Sequence, residues 1–389
     1  MIYHFVAEQT EAELNFDITI DKDKKVYCFI GDNAVGKTNL LENMARTLLY
    51  CHTLFQKPNT QKYSGIFFET EIYEAIKDLS LWLATGDIRL NQTKIQDHRN
   101  FTVFKHLSNR TLTVTIDKPI VFIGAQNRGY TKNIDKNHIK ILGNQFDRFL
   151  DAFVRSFNYM NGKALEGIEV ADWFNSRLII NPNFVPKNKK RVFEVETVFK
   201  LMQKLEPSLD LMTEQDGVVT DFKVQFDEGQ LYIDSVPIDK LSTGFVSIIK
   251  LFQEMVAAYG GWTGFAGDKE LSQVEGVMFI DEIESHIHPK WQYRIISLLK
   301  EFFPKTTFYI ATHSPLIVST TDQGEAYELV RKGNQVTAHQ LGNPREWYLA
   351  DVFAGAFHVD FIQSTVTPES DDSRLIHQLK DFSIKVKDY

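Results

Sequence analysis

One stretch of the chain has the residue types and spacing of a phosphate-binding loop. Residues 31–38 fit the pattern G-x-x-x-x-G-K-[ST] and lie between a strand-like run (residues 25–30) and a run with helical periodicity (residues 38–49). The N–H groups at such a helix start stabilise anionic oxygens. We predict that Lys37 reaches the β- and γ-phosphates of a nucleotide and that Thr38 ligates Mg²⁺. The predicted phosphate-binding residues are Gly31, Asp32, Asn33, Ala34, Val35, Gly36, Lys37 and Thr38.

Polar side chains follow two later apolar runs, which we expect to be buried strands. Residues 277–280 continue into Asp281 and Glu282, and residues 307–311 continue into a Thr-His-Ser-Pro segment that contains His313. In an open α/β sheet, sites form at the carboxyl ends of the strands. We predict that Asp281 holds Mg²⁺ through water, that Glu282 polarises the attacking water, and that His313 senses the γ-phosphate. The alternatives are acids that only cap a strand and a structural histidine.

Two weaker features point to the same site. Ser242 and Gly244 precede a predicted helix, so they form either a second anion-binding helix end or a plain N-cap. Gln126 follows the buried run 119–125, where its amide could ligate the metal and couple an inserted segment to it.

The hydrophobic pattern predicts an open α/β sheet. Residues 1–30 read as a strand pair that leads into the phosphate-binding loop, and residues 135–215 read as mostly helical. Residues 218–226 and 230–234 read as a hairpin, and residues 260–264 as a flexible glycine-rich loop. Residues 50–120 give no firm prediction beyond possible strands, which are placed at 67–73 and 110–116.

Composition restricts the class of protein. The 389 residues are 43% hydrophobic and 24% charged, which is ordinary for a globular protein. The net charge of −8 excludes a basic surface over the whole molecule, so DNA binding would need a local patch. Residues 186–191 form such a patch or a solvated turn. Cys28 and Cys51 form no C-x-x-C pattern, the N-terminus is unlike a signal peptide, and no apolar run is long enough for a membrane span. We expect a soluble, cytoplasmic protein.

Taken in order, these motifs resemble the ATPase head of the ABC class. Residues 31–38 would correspond to its Walker A motif, Gln126 to its Q-loop and residues 241–244 to its signature. Residues 279–282 would correspond to Walker B with its catalytic glutamate, and His313 to the switch histidine. The signature has Thr243 where many members have Gly or Ser.

The motif style narrows the resemblance further. Residues 31–42 look like the RecF/SMC branch, whereas residues 281–292 and 311–315 are similar to free-standing ATPases related to the OLD family. Many of those ATPases occur in bacterial anti-phage systems such as Septu, PARIS and retrons. The chain after His313 is too short for the Toprim nuclease domain of OLD proteins, and there is no HNH-like cluster. We therefore expect no nuclease activity within this chain.

The resemblance implies a P-loop NTPase fold with an ABC-type head, an antiparallel β subdomain and a helical insertion. It adds Asn39 to the nucleotide site. It also implies that two heads sandwich two ATP molecules, with Ser242 and Gly244 on the γ-phosphate of the ATP that the other subunit holds. The expected units are an N-terminal lobe (1–134), a helical insertion (135–215), a C-terminal lobe (216–345) and a helical tail (346–389).

Three functions are compatible with the motifs. The first is a sensor or regulatory ATPase of phage defence that works as a homodimer or higher homo-oligomer and controls a separately encoded effector protein. The second is a DNA-repair or chromosome ATPase that acts directly on DNA. The third, the energy subunit of a membrane transporter, is disfavoured by the RecF-like motifs, and we expect no membrane contact.

Overall fold

A computed structural model describes ten stretches of the chain: residues 1–53, 83–95, 114–126, 128–129, 142–161, 169–178, 191–215, 218–227, 230–264 and 271–358. The predicted strand at 67–73, most of the predicted strand at 110–116 and the tail beyond residue 358 lie outside these residues.

The described residues form strands and helices in alternation through the part of the chain that carries the motifs. The strands are β1 (His4–Ala7), β2 (Asn15–Thr19), β3 (Val26–Ile30), β4 (Ile88–Leu90), β5 (Thr93–Lys94), β6 (Ile120–Ile123), β7 (Met212–Gln215), β8 (Val218–Phe222), β9 (Val224–Asp227), β10 (Gln230–Ile233), β11 (Val236–Pro237), β12 (Val277–Ile280), β13 (Thr307–Ala311), β14 (Ala326–Lys332) and β15 (Gln335–Gln340). The helices are α1 (Lys37–Tyr50), α2 (Gln145–Met160), α3 (Val170–Leu178), α4 (Val192–Leu205), α5 (Thr243–Thr263), α6 (Pro289–Phe302), α7 (Pro315–Val318) and α8 (Leu349–Phe357).

Ten strands form one mixed sheet in the order β5-β4-β1-β2-β15-β14-β3-β13-β12-β6. The neighbouring strands from β14 to β6 are all parallel, whereas β1 pairs with β2, and β14 with β15, in antiparallel fashion. The carboxyl ends of β3, β13, β12 and β6 therefore lie side by side at one edge. This arrangement confirms the predicted α/β fold of the P-loop NTPase class with an added antiparallel part.

A row of aromatic rings fixes the register of the four strands that carry the motifs. Tyr27, Tyr309, Phe279 and Phe122 are direct neighbours on β3, β13, β12 and β6. Tyr27 stacks on Tyr309 with ring centroids 5.2 Å apart, and Tyr309 stacks on Phe279 at 5.1 Å. Because a shift by one residue would turn every ring to the other face, this row holds the strand ends level.

Both faces of the parallel part are covered. In β3, Val26 and Cys28 pack into a core with α3, α4 and α5, whereas Tyr27 and Phe29 pack into a second core with α1 and α2. Period-2 alternation directs these side chains to opposite faces. No helix in the described stretches is long and apolar enough to cross a membrane.

The predicted flexible loop at residues 260–264 is wrong. Gly260 and Gly261 lie inside α5, and Gly264 ends that helix with a φ of 67°. The glycines serve close packing, because a Cβ on Gly261 would lie 2.8 Å from the backbone of Arg148 in α2. Trp262 in the same turn packs edge-on against Phe149.

Two other predictions need correction, and a third is tested only at its last residue. Residues 212–215, expected to be helical, form β7, and residues 218–226 are two strands because Lys223 interrupts them by pairing with Leu211 and Asp234. Strand β8 pairs with β7, and only β9 forms the predicted hairpin with β10. In the basic segment 186–191, Arg191 is buried, so it is neither solvated nor exposed to DNA. The other residues of that segment lie outside the described part.

Candidate nucleotide site

The phosphate-binding loop has a backbone that only glycine accommodates at two points. Gly31 and Gly36 adopt φ values of 140° and 109°. A Cβ on Gly31 would lie 2.7 Å from the carbonyl oxygen of Leu329, and one on Gly36 would lie 2.8 Å from Leu14. The loop is therefore held tightly between β3 and the first turn of α1, with Gly36 as the N-cap of the helix.

Lys37 bridges the mouth of this loop. Its Nζ donates hydrogen bonds to the carbonyl oxygens of Gly31 at 2.7 Å and Asp32 at 2.9 Å. Burial lowers the pKa of Lys37, and the nearby carboxylates of Asp281 and Glu284 oppose that shift. The ammonium group of Lys37 therefore lies near these carboxylates. An anionic ligand in the loop would draw the ammonium group toward itself.

Thr38 and Asp281 are brought together from positions 243 residues apart. The Thr38 hydroxyl donates to the two carboxylate oxygens of Asp281 at 2.9 and 3.1 Å. Burial raises the pKa of Asp281 to about 6, despite the hydrogen bond from Thr38. A hydroxyl and a carboxylate in contact at the loop form an oxygen-donor pair that suits a hard divalent cation.

Glu282 lies beside Asp281 but faces solvent. Its side chain is exposed, and its Oε2 accepts a hydrogen bond of 3.0 Å from Ser285. Its backbone has a φ of 43°, a left-handed conformation that is unusual for a residue other than glycine. The chain thus turns sharply after β12, with the two carboxylates in different environments.

Glu284 is a site residue that sequence reasoning missed. Its carboxylate accepts hydrogen bonds from the Thr312 hydroxyl at 2.6 Å and from the His313 backbone N–H at 2.5 Å. It therefore ties the segment after β12 to the end of β13. The sequence does offer a signal for this residue, because Glu284 is the third acid in the Asp-Glu-Ile-Glu run.

His313 lies half-buried at the end of β13. Burial and the positive charge of Lys37 lower the pKa of His313, which favours its neutral form at pH 7. The electrostatic interaction with Lys37 places the imidazole near the loop. A neutral imidazole there can donate one hydrogen bond and accept another.

The signature-like segment lies against the turn that follows Glu282. Ser242 is exposed, and its Oγ caps α5 by accepting a hydrogen bond from the N–H of Phe245 at 3.2 Å. A Cβ on Gly244 would lie 2.7 Å from the carbonyl oxygen of His286. The predicted N-cap and close approach are confirmed, whereas contact with a nucleotide stays a prediction.

Gln126 lies three residues beyond the carboxyl end of β6. Strand β6 pairs with β12, and the N–H of Asp281 donates to Ile123 O at 2.9 Å. The Gln126 side chain is exposed, and its role as a metal ligand stays a prediction. Arg128, two residues later and fully buried, donates to the carbonyl oxygens of Asp281 and Glu282. Sequence reasoning did not identify Arg128.

These donors fit ATP and Mg²⁺. The loop offers a lysine and a helix N-terminus for phosphate, and the pair Thr38–Asp281 offers oxygen ligands for the cation. The described residues contain no cluster of three or more His, Cys, Asp or Glu side chains that could hold a metal ion. A Mg²⁺ ion at Thr38 and Asp281 would therefore need phosphate oxygens and water as further ligands.

Comparisons with known proteins agree with this geometry. The family described as "AAA domain, putative AbiEii toxin, Type IV TA system" matches residues 130–319, nearly half of the chain. The chain is a P-loop ATPase. The predicted resemblance is thereby confirmed at the level of fold and enzyme class.

This ATPase is similar to proteins of two defence systems. A Septu protein PtuA of Bacillus mycoides (strain KBAB4) is 25% identical over 339 residues, which cover 85% of this chain and 40% of that protein. A Septu protein PtuA of Bacillus thuringiensis is 23% identical over 348 residues, which cover 87% and 80%. A retron Vc95 probable ATPase of Vibrio cholerae serotype O1 biovar El Tor is 49% identical over 45 residues, or 12% and 9%. The match thus spans less than half of the first Septu protein.

Proposed function

We propose that this ATPase binds and hydrolyses ATP between two copies of itself and acts as the sensor or regulatory subunit of an anti-phage system, where it controls a separately encoded effector. The observation that carries the proposal is the hydrogen bond between Thr38 and Asp281, with the exposed carboxylate of Glu282 beside it. These groups provide the metal-binding and the water-activating ends of one hydrolytic site.

Each group has a distinct role in hydrolysis. Bound Mg²⁺ supplies neutralisation of phosphate charge. Lys37 and the N–H groups of the loop bind and orient the β- and γ-phosphates. Glu282 accepts the proton of the attacking water, and the hydroxyl of Ser285 holds that carboxylate in place. The neutral imidazole of His313 donates a hydrogen bond to the γ-phosphate.

The second copy completes the site. Ser242 and Gly244 lie at the exposed N-terminus of α5, where the helix dipole favours an anion. In this proposal they contact the γ-phosphate held by the partner, so ATP stabilises the dimer and hydrolysis releases it. Loss of one phosphate is then the charge change that switches the assembly.

The defence role is supported by similarity to proteins of two defence systems. The Septu proteins match most of this chain, and the retron ATPase matches a short segment. In this proposal the effector is a separately encoded protein, which pull-down of the ATP-bound form would recover.

The substitution Glu282→Gln tests the hydrolytic dimer. We expect the ATPase rate to fall by about a hundredfold or more, because the base is lost, while ATP and Mg²⁺ still bind. Size-exclusion chromatography with light scattering should then show a dimer in ATP and a monomer without nucleotide.

Glu275→Gln is the matched control, since Glu275 precedes the opposite end of β12 and forms an exposed ion pair with Lys118. It should hydrolyse ATP normally and form no stable dimer. A Glu282→Gln protein that stays monomeric in ATP would contradict the sandwich, and one that keeps the normal rate would contradict the role of Glu282.

A further inference from the structure

Arg128 is a buried cation directly behind the proposed catalytic residues. It is 1% exposed, and one of its nitrogens, Nη2, donates to the carbonyl oxygen of Asp281 at 2.8 Å and to that of Glu282. These two carbonyls belong to the peptide groups on either side of the Glu282 Cα atom. A single guanidinium nitrogen therefore holds both peptides that define the φ and ψ angles of Glu282.

The backbone that Arg128 holds is one that needs support. Glu282 has a φ of 43°, a conformation that non-glycine residues keep only when their surroundings impose it. The direction of its Cα–Cβ bond, and so the position of its carboxylate, depends on that conformation. Ser285 also holds this residue, since its N–H donates to the Glu282 carbonyl at 2.9 Å and its hydroxyl to the carboxylate. Arg128 adds a contact to the same carbonyl and is the side chain that joins it to the carbonyl of Asp281.

The cost of burying Arg128 indicates that its role is more than packing. Its Nε and Nη1 atoms have no hydrogen-bond partner among the described residues. A buried arginine with unsatisfied donors is unfavourable for folding compared with an apolar side chain. Such a group is expected where its remaining contacts serve function.

The charge of Arg128 is balanced from the helix that follows the signature-like segment. Glu254 of α5 is buried and has the largest favourable electrostatic interaction with Arg128, followed by Asp281 and Glu284. The Tyr159 hydroxyl of α2 donates to Glu254 at 3.0 Å. Tyr159 thus links α2 to Glu254 by a hydrogen bond, and Glu254 acts on Arg128 by electrostatic interaction.

We propose that Arg128 is a positioning residue that fixes the catalytic conformation of Glu282 through its two flanking carbonyls. This inference rests on the proposed role of Glu282. Among the described residues, Arg128 donates to the two carbonyls and not to the phosphate-binding loop or to the side chains of Thr38 and Asp281. Its loss should therefore affect the turnover step more than ATP binding.

The first test compares Arg128→Met with Arg128→Lys. In the methionine variant kcat for ATP should fall by about tenfold or more, while KM stays within about twofold. The lysine variant can still donate to both carbonyls and should recover part of kcat. Arg177→Met is the matched control, because Arg177 is also buried but pairs with Glu194 in the insertion. It should lower Tm and leave kcat of the folded protein unchanged.

The second test is a double-mutant cycle with Glu282→Gln. If Arg128 acts through Glu282, adding Arg128→Met or Arg128→Lys to Glu282→Gln should not lower the residual rate further. An equal fall in both backgrounds would overturn the positioning role, as would an unchanged kcat in Arg128→Met. If the methionine variant does not fold, the same double-mutant cycle is measured with the lysine variant.

The two proposals fail in different ways. A normal rate in Glu282→Gln would overturn the proposed hydrolytic function, whatever Arg128 does. Loss of activity in Glu282→Gln together with a normal kcat in both Arg128 variants would overturn only the inference on Arg128.

Discussion

At the scale of single residues, the ionised carboxylate of Asp281 is buried at a cost in folding free energy. Its carboxylate is 7% exposed and has one hydroxyl donor. The shift of its pKa from 3.8 to about 6 means that the native protein binds the proton more tightly than the unfolded chain does. Ionised Asp281 therefore destabilises the nucleotide-free fold at neutral pH, which a bound cation would offset.

We predict that Asp281→Asn stabilises the nucleotide-free protein and abolishes Mg²⁺-dependent ATP hydrolysis. The pKa shift of about two units corresponds to ~3 kcal/mol at most, so Tm at pH 7.5 should rise by a few degrees. The gain should be complete above about pH 6 and disappear as the pH falls toward 3.8, since the native carboxyl is then protonated. Calorimetry without metal or nucleotide measures it.

Asp322→Asn is a control of opposite sign. Partial burial raises the pKa of Asp322, but contacts with Lys300 and Arg345 outweigh this and hold it below its usual range. Its removal should lower Tm slightly or leave it unchanged. A lower Tm for Asp281→Asn at pH 7.5 would show that the carboxylate stabilises the empty fold.

At the scale of elements, helix α5 is joined to α2 and α4 by close packing at two glycines. Gly260 lies against Glu194 of α4, and Gly261 lies against the backbone of Arg148 in α2. The same α2 supplies Tyr159, which contacts Glu254 of α5. Small residues at this crossing allow α5 to contact two insertion helices at once.

We predict that Gly261→Ala destabilises the protein by about 1–3 kcal/mol, because the added Cβ meets rigid backbone 2.8 Å away. This is opposite to the gain of about 1 kcal/mol that helix propensity alone would give. Urea unfolding measures the difference.

Gly355→Ala in α8 is the matched control, since its Cβ would meet only the Trp347 ring at 3.4 Å. It should be neutral or stabilising. Equal stability of the two variants would mean that α2 and α5 separate without cost.

At the scale of the whole molecule, charge disfavours direct action on DNA. The net charge is −8, and Arg191, the described member of the basic segment 186–191, is buried against Phe193 and Gly264. A sequence-independent DNA complex depends on lysine and arginine side chains that reach phosphates.

We therefore predict no saturable binding of duplex DNA by the ATP-loaded Glu282→Gln protein in a filter assay at physiological salt. Lys37→Ala, which should not hold ATP, is the control. Binding that depends on ATP and weakens by about tenfold or more between 50 and 200 mM salt would favour the DNA-repair or chromosome function instead.

The sequence by itself determined the class of fold and the position of the motifs that form the candidate site. The phosphate-binding loop, the strand ending in Asp281 and Glu282, and the N-cap at Ser242 are local patterns, because their backbone geometry depends on residues a few positions away. Strand existence and helix faces followed from periodicity for the same reason.

Only the tertiary structure decided which distant groups meet. The contact between Thr38 and Asp281 needs three parallel strands in register, and the burial of Arg128 needs α5 and the turn after Glu282 around it. Gly260 and Gly261 suggest a loop when considered locally, yet they are helical because α2 and α4 pack closely on them. Long-range packing overrides local propensity at such positions, since the free energy of burying helix against helix exceeds the preference of any one residue.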